Sequence, residues 1–310
     1  ITAVGTIMMP KMIEAGYPKP FVIVLAASAA LLEALIPPSN AAILYSALTY
    51  VPVSQTFAAG VIPGLILLFF MIALVLFKCR NIKRHKPATN YEKLILGLKA
   101  FPALLTPLII LGGIYGGLLT PSESAAVSGI WAIFMGFLIY RELTINSLLE
   151  SIKDTAITTS VIFSIIAMAT FLSKVFTYTQ FPQFIIKSIT EMGVGLNFFW
   201  FAMALICLIL GTFIEIIPVF YLTIPIFTAI ILSFDQSLIH LYVVFVAFAG
   251  IGMITPPVCV GIYTSASVIK ENPGKAFKEV PLFTAVGILY GIIMILFPSL
   301  STWLPAYLTG

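Results

Sequence analysis

Ile36-Pro37-Pro38-Ser39-Asn40 stands in the middle of one apolar stretch, Phe21–Tyr50, and Thr255-Pro256-Pro257-Val258-Cys259 in the middle of another, Leu241–Val268. A double proline removes two backbone donors and its rings clash with the preceding turn, so a helix breaks there. Each stretch is longer than the roughly 20 apolar residues a helix needs to cross a bilayer. Inside hydrocarbon the freed carbonyls need partners, and broken backbone persists only where it is buried in protein or lines a cavity. Each double proline follows an earlier apolar-flanked proline, Met9-Pro10 and Ile224-Pro225. Small residues follow each one, Ala41-Ala42 through Ser46 and Gly261 through Ser265. The matched context reads as two copies of one unit, the pattern of transporters built from internal repeats. Two unrelated proline kinks are the plainer alternative, and they leave the match unexplained.

Composition fixes the solvent around these stretches. Hydrophobic residues make up 60% of the 310-residue chain, charged residues 9%, and the mean hydropathy is +1.11. A soluble domain keeps about a quarter of its residues charged. The chain therefore reads as an all-α polytopic membrane protein. Expected crossings are Phe21–Tyr50, Phe57–Phe77, Pro102–Leu119, Ser124–Tyr140, Ala156–Tyr178, Leu241–Val268 and Val280–Pro298. Asn197–Leu232 is apolar too, but Thr212, Glu215 and Pro218 interrupt it, and it reads as a hairpin that enters and leaves on one side.

Charge tests that hairpin, because Lys and Arg collect in cytoplasmic loops. Counting one hairpin and seven crossings puts 14 of the 16 basic residues on one side, with Lys174 and Lys187 left on or near the other. A single crossing at Asn197–Leu232 would place Lys270, Lys275 and Lys278 outside. The basic run 78–101 is then a cytoplasmic loop, and the end Phe297–Gly310, with Trp303 and Tyr307, lies at the outer interface. The same count sends Phe21–Tyr50 outward and Leu241–Val268 inward, so the repeats are inverted. In segments, 1–77 belongs to the first repeat, 102–154 are connecting helices, and 155–310 is the second repeat, with its hairpin at 197–232 and broken helix at 241–268.

Freed carbonyls at a helix break are hard oxygen donors suited to Na⁺, and half-helix N-termini suit a carboxylate. Candidate Na⁺ ligands are carbonyls at Leu35, Ile36, Ser39, Gly252, Thr255 and Val258, with hydroxyls from Ser39, Thr212 and Thr255. Candidate substrate contacts are Pro38, Ser39, Asn40, Glu215, Pro256 and Pro257. Gly250 and Gly252 allow close backbone approach. Glu33 and Glu215 are the carboxyls deepest in apolar sequence, and either could carry a proton or ligate a cation. The alternative for Glu33 is a carboxyl bonded to neighbouring backbone, and for Glu215 a hydrated tip residue. Thr120-Pro121-Ser122-Glu123 reads as a helix start. Cys79, Cys207 and Cys259 are widely spaced and suggest neither disulfides nor a transition-metal site. No cofactor is expected beyond Na⁺ as coupling ion. The sequence holds no phosphate-binding loop and no hydrolase or metalloprotease motif, which counts against ATP-driven pumping and against an intramembrane enzyme. The +4 net charge sits in loops and implies lipid headgroups and water rather than nucleic acid.

At these motifs the chain resembles the large membrane subunit of tripartite ATP-independent periplasmic (TRAP) transporters. The features are Ile36-Pro37-Pro38-Ser39 after an Ala-rich run, Gly252-Met253-Ile254-Thr255-Pro256-Pro257, Gly112-Gly113-Ile114-Tyr115-Gly116-Gly117 leading to Thr120-Pro121-Ser122-Glu123, and Tyr140-Arg141-Glu142-Leu143. The resemblance implies an elevator-type, Na⁺-coupled importer of four-carbon dicarboxylates, sialic acid or related sugar acids in the bacterial inner membrane. It implies two partners, a small four-helix membrane subunit and a periplasmic substrate-binding protein. It also implies two re-entrant hairpins, of which Ile1–Met12 looks like the returning arm of the first, so that the chain reads as truncated at its N-terminus. Three departures stand out: Glu33 where the family often has a small residue, Glu215 where it often has Asp, and Cys259 where it often has Gly. A carrier of the same architecture that needs no binding protein is the rival reading, and a passive channel a more distant one.

Overall fold

A computed structural model of the chain describes residues 2–80, 82, 89–191 and 195–309. Among these, every regular element is helical. In chain order the α-helices are α1 (Thr2–Glu14), α2 (Lys19–Leu35), α3 (Asn40–Thr49), α4 (Val53–Lys78), α5 (Asn90–Tyr115), α6 (Pro121–Phe134), α7 (Ile145–Tyr178), α8 (Phe181–Glu191), α9 (Leu196–Phe213), α10 (Ile216–Ser233), α11 (Leu238–Ile254), α12 (Val260–Val268), α13 (Val280–Leu296) and α14 (Ser299–Thr309). A π-helical turn, Met135–Ile139, extends α6, and a 3₁₀ segment, Pro273–Lys278, precedes α13. Among the described residues, six helices are long and apolar enough to cross a membrane, or eight spans if each of two bent helix pairs counts as one. One bent pair is α2 with α3, at 45°. The chain is a polytopic membrane protein of broken and unbroken helices.

The chain divides into two compact units, 1–84 with 169–310, and 85–168. In the second unit, α5 and α6 pack through small residues. A Cβ on Gly113 would meet Leu119 and Ser124. The Trp131 indole donates to the Pro102 carbonyl (3.0 Å), and the Tyr140 hydroxyl donates to the Lys99 carbonyl (2.9 Å). The expected helix start at Thr120 is present as a capping box: Thr120 Oγ1 accepts from the Glu123 N–H, and Glu123 accepts from the Thr120 N–H (2.8 Å). Such a box satisfies two donors that the first helical turn leaves free.

Three boundaries differ from the sequence reading. The basic run 78–101 is not loop throughout, because α5 begins at Asn90 and carries Lys93 and Lys99 on helix. Charged residues at a span's entrance keep their heads in water while the backbone is already helical. Lys83, Arg84 and Lys86 of that run lie outside the described residues. The crossing expected from Ala156 is the later part of a longer helix, α7, which starts at Ile145. Past Leu296 the chain forms α14, bent 57° from α13. Pro298 lies at that bend, between the two helices, where its ring and missing N–H interrupt no internal helix bond.

The first unit holds both double prolines. Along α2 and α3, Ala27 meets Gly261 of α12, the Ala34 carbonyl accepts from the Tyr242 hydroxyl of α11, and the Tyr45 hydroxyl donates to the Leu238 carbonyl at the start of α11. Residue numbers rise on one chain segment as they fall on the other. The two broken helices therefore run antiparallel, with α2 packed against both α12 and α11. A helix carrying an internal proline precedes each: α1 with Pro10, and α10 with Pro225. The core between them is aromatic, with Phe220 stacked on Phe245 (4.5 Å between centroids) and Tyr45 tilted against Tyr242 (5.1 Å).

Candidate functional site

The hairpin carries one wall of the site. Phe199, in the first turn of α9, touches Phe227 in α10 and Phe234 just beyond α10 (6.1 and 6.3 Å between centroids). Both arms thus open at the same end, and the chain reverses at Ile214-Glu215, where the backbone is extended. Trp200 lies on His240 at one end of α9, and Gly211 lies on Gly252 at the other, so α9 runs parallel to α11. A Cβ on Gly252 would fall 2.5 Å from the Leu208 carbonyl oxygen and 2.7 Å from the Gly211 Cα. Only a pair of glycines lets the two backbones approach this closely. At the tip, the Thr212 carbonyl accepts from the Cys259 N–H (3.2 Å). The hairpin therefore reaches the level of the second break and turns back there, while α12 continues beyond it.

At the second break the end of α11 is bonded by Thr255, and the start of α12 has no side-chain cap. Thr255 N–H donates to the Gly252 carbonyl (2.8 Å), and Thr255 Oγ1 donates to the Ile251 carbonyl (2.8 Å) and lies 3.3 Å from Thr284 Oγ1 on α13. Cys259 occupies the N-cap of α12 in the left-handed region (φ 47°) and caps nothing with its side chain. Glu215, exposed at the N-cap of α10, also caps nothing. Two helix N-termini, each with its first-turn donors uncapped by side chains, thus flank the Thr212–Cys259 contact. The positive ends of two helices with free N–H groups form a place where an anion is stabilised.

The first break is closed on itself. Ser39 Oγ donates to the Ala34 carbonyl (2.9 Å) and accepts from the Ala42 N–H (3.3 Å), capping α3. The Ile36 N–H donates to the Leu32 carbonyl (2.7 Å). The Leu35 carbonyl faces α4, where a Cβ on Gly60 would overlap it. Ser46 and Thr56 share a hydrogen bond (2.9 Å) that ties α3 to α4. Glu33 lines a cavity of about 550 Å³ between α1, α2 and α4.

Of the residues singled out by sequence, Thr212, Gly252, Thr255 and Val258 share the second break with Pro256 and Pro257, and Glu215 stands beside them on the hairpin. Leu35, Ile36, Pro38, Ser39 and Asn40 share the first break with Glu33. Sequence reasoning missed Tyr242, Thr284, Gly60 and Gly211. Gly211 could have been found, since it precedes Thr212 at the predicted tip. Nothing in the sequence marked Tyr242 or Thr284, whose partners lie far away in the chain.

Residues 1–300 match the family model described as "Tripartite ATP-independent periplasmic transporter, DctM component". The chain belongs to this transporter family. It is 31% identical over 310 residues to the C4-dicarboxylate TRAP transporter large permease protein DctM of Pseudomonas aeruginosa, covering 99% of this chain and 73% of the relative. It is 32% identical over 332 residues to the corresponding protein of Vibrio cholerae, covering 100% of this chain and 73% of the relative. The sialic acid TRAP transporter large permease protein SiaM of Vibrio cholerae is 28% identical over 310 residues, covering 99% of this chain and 72% of its own length. A TRAP permease is a transport protein and not an enzyme. In this permease, accordingly, the broken helices and hairpin are read as transport machinery.

Proposed function

We propose that this TRAP permease carries an organic-acid anion across the bacterial inner membrane, driven by Na⁺, with the substrate's carboxylate held between the N-termini of α10 and α12. The observation that carries the reading is the meeting of those two uncapped helix ends at the Thr212–Cys259 hydrogen bond. In this reading, carbonyls at Gly252, Thr255 and Val258, with the Thr212 and Thr255 hydroxyls, serve one Na⁺. Carbonyls at Leu35, Ile36 and Ser39 serve another. Pro38, Ser39, Asn40, Pro256 and Pro257 shape the substrate cradle. Glu215, an acceptor beside an anion site, suits a substrate hydroxyl or ammonium rather than its carboxylate. Relatives named for C4-dicarboxylates and for sialic acid support this substrate class.

The proposal includes a periplasmic binding protein that delivers substrate, a small four-helix membrane subunit, and elevator movement of the hairpin with the broken helices. The positive-inside count places the run 78–101 in the cytoplasm and the C-terminus in the periplasm. The test is uptake of labelled succinate and labelled sialic acid by the complete transporter in liposomes. Uptake is expected only with a Na⁺ gradient and the binding protein. Thr212→Ala is expected to raise the Na⁺ concentration for half-maximal rate about tenfold, the effect of losing one ligand of order 1.4 kcal/mol. Na⁺-independent uptake, or an unaltered Na⁺ response in Thr212→Ala, would overturn the coupling scheme.

A further inference from the structure

We infer that the groove between α4 and α13 holds one acyl chain of an anionic phospholipid whose headgroup rests on Arg80 and Lys278. This requires only a membrane around the chain and stands apart from the transport reading.

The groove has a volume of about 260 Å³, and every residue that lines it is apolar. Phe70, Leu74 and Phe77 line it from α4, and Leu282, Val286 and Leu289 line it from α13. Each set recurs at helical spacing, so each forms a stripe along one helix face. From Phe70 to Phe77 the stripe runs roughly 10 Å, most of the ~15 Å depth of one leaflet's hydrocarbon.

One end of the groove is charged. Lys78 follows Phe77, and Glu279 stands one turn before Leu282, so their ion pair (3.0 Å) spans that end. The pair neutralises the acid there. Arg80 and Lys278 flank it, both are exposed, and among the described residues neither bonds an acid. The mouth of an apolar slot thus carries uncommitted positive charge. The positive-inside count puts this mouth at the cytoplasmic headgroup level, where anionic lipids attract Lys and Arg. A zwitterionic lipid would fill the slot but leave those charges unmatched, and a free phosphate would match them but leave the slot empty. An anionic phospholipid does both.

The two walls also back the two breaks. On α4, Gly60 meets the Leu35 carbonyl at the first break, and on α13 Thr284 Oγ1 lies 3.3 Å from Thr255 Oγ1 at the second. A chain lodged between α4 and α13 therefore packs between the supports of both breaks, and a lipid bound only to the folded protein stabilises it.

The experiment places p-benzoylphenylalanine in the groove as Phe70→p-benzoylphenylalanine, which keeps a ring there, in the complete transporter. The liposomes contain equal parts of phosphatidylcholine and phosphatidylglycerol, both with oleoyl chains, and adducts formed on illumination are read by mass spectrometry. Phosphatidylglycerol adducts are expected to exceed phosphatidylcholine adducts at least about tenfold. Adding Arg80→Gln and Lys278→Gln is expected to bring the two to parity. Val286→Trp, which fills the groove, is expected to remove the preference with both basic residues intact. Equal labelling by the two lipids means annular lipid only and overturns the inference. An adduct on the small membrane subunit means a protein occupant and overturns it too, as does a preference that survives the double Gln change. A second measurement is the thermal midpoint of the delipidated transporter in detergent. Phosphatidylglycerol is expected to raise it, and phosphatidylcholine or inorganic phosphate at the same concentration is not. An equal rise with inorganic phosphate would assign the effect to the basic residues alone and overturn the role of the groove.

Discussion

The two double prolines are nearly the same sequence event and have opposite outcomes. At the first, Ser39 caps α3 and bonds the Ala34 carbonyl, which also accepts from the Tyr242 hydroxyl of α11. At the second, the residue in the equivalent capping place is Cys259, whose side chain caps nothing and whose N–H is bonded by the hairpin at Thr212. A break closed by its own residues is a structural joint. A break completed by another element leaves helix ends available, and its geometry changes whenever that element moves. The difference follows from one side chain: a serine oxygen can accept from the first turn of a helix, whereas a thiol is a poor acceptor.

The contrast can be broken most forcefully through the glycines that seat each break. Gly252→Ala would drive a methyl into the Leu208 carbonyl and the Gly211 backbone, and Gly60→Ala would drive one into the Leu35 carbonyl. Backbone cannot yield as a side-chain tip can, so each is expected to cost about 3 kcal/mol, read as a lowered thermal midpoint in detergent. An unshifted midpoint in either variant would show that the close approach is absent. The capping residues give a smaller and sharper comparison. Ser39→Ala is expected to cost about 1 kcal/mol, the usual loss for a helix cap. Cys259→Gly is expected to change stability by less than about 1 kcal/mol, towards stabilisation, because glycine adopts the positive φ without strain. Equal losses at both positions would erase the distinction between the breaks.

The smallest effect is expected where the two broken helices meet at their ends. Lys19, at the start of α2, and Lys275, beyond α12, both bond Glu271 (2.9 and 2.8 Å). Lys275 first, then Lys19 and the Asn272 N–H, hold the Glu271 carboxyl down to about 2. A carboxyl with a lowered folded-state value contributes stability above its ordinary titration range and loses it as pH falls towards 2. Glu271→Gln should therefore lower the thermal midpoint slightly at neutral pH, by progressively less as pH falls through about 2. Solvent screening keeps the neutral-pH shift small. A shift that persists at low pH would place the effect elsewhere than in these ion pairs.

Much of this was legible before any coordinates. The low charge content and long apolar runs fixed the membrane as solvent, since no aqueous surface could be built from this composition. The Pro-Pro pairs fixed where the helices break, because proline acts through its own ring and missing N–H. The capping box at Thr120 was equally local. What only the tertiary structure decided were the partners: the Tyr242 hydroxyl on Ala34, Thr284 beside Thr255, and the Thr212 carbonyl on Cys259. Each joins residues from separate helices, and which groups satisfy a freed carbonyl depends on what packing brings within hydrogen-bond reach. Sequence determined that both helices must break; packing determined which break stayed open.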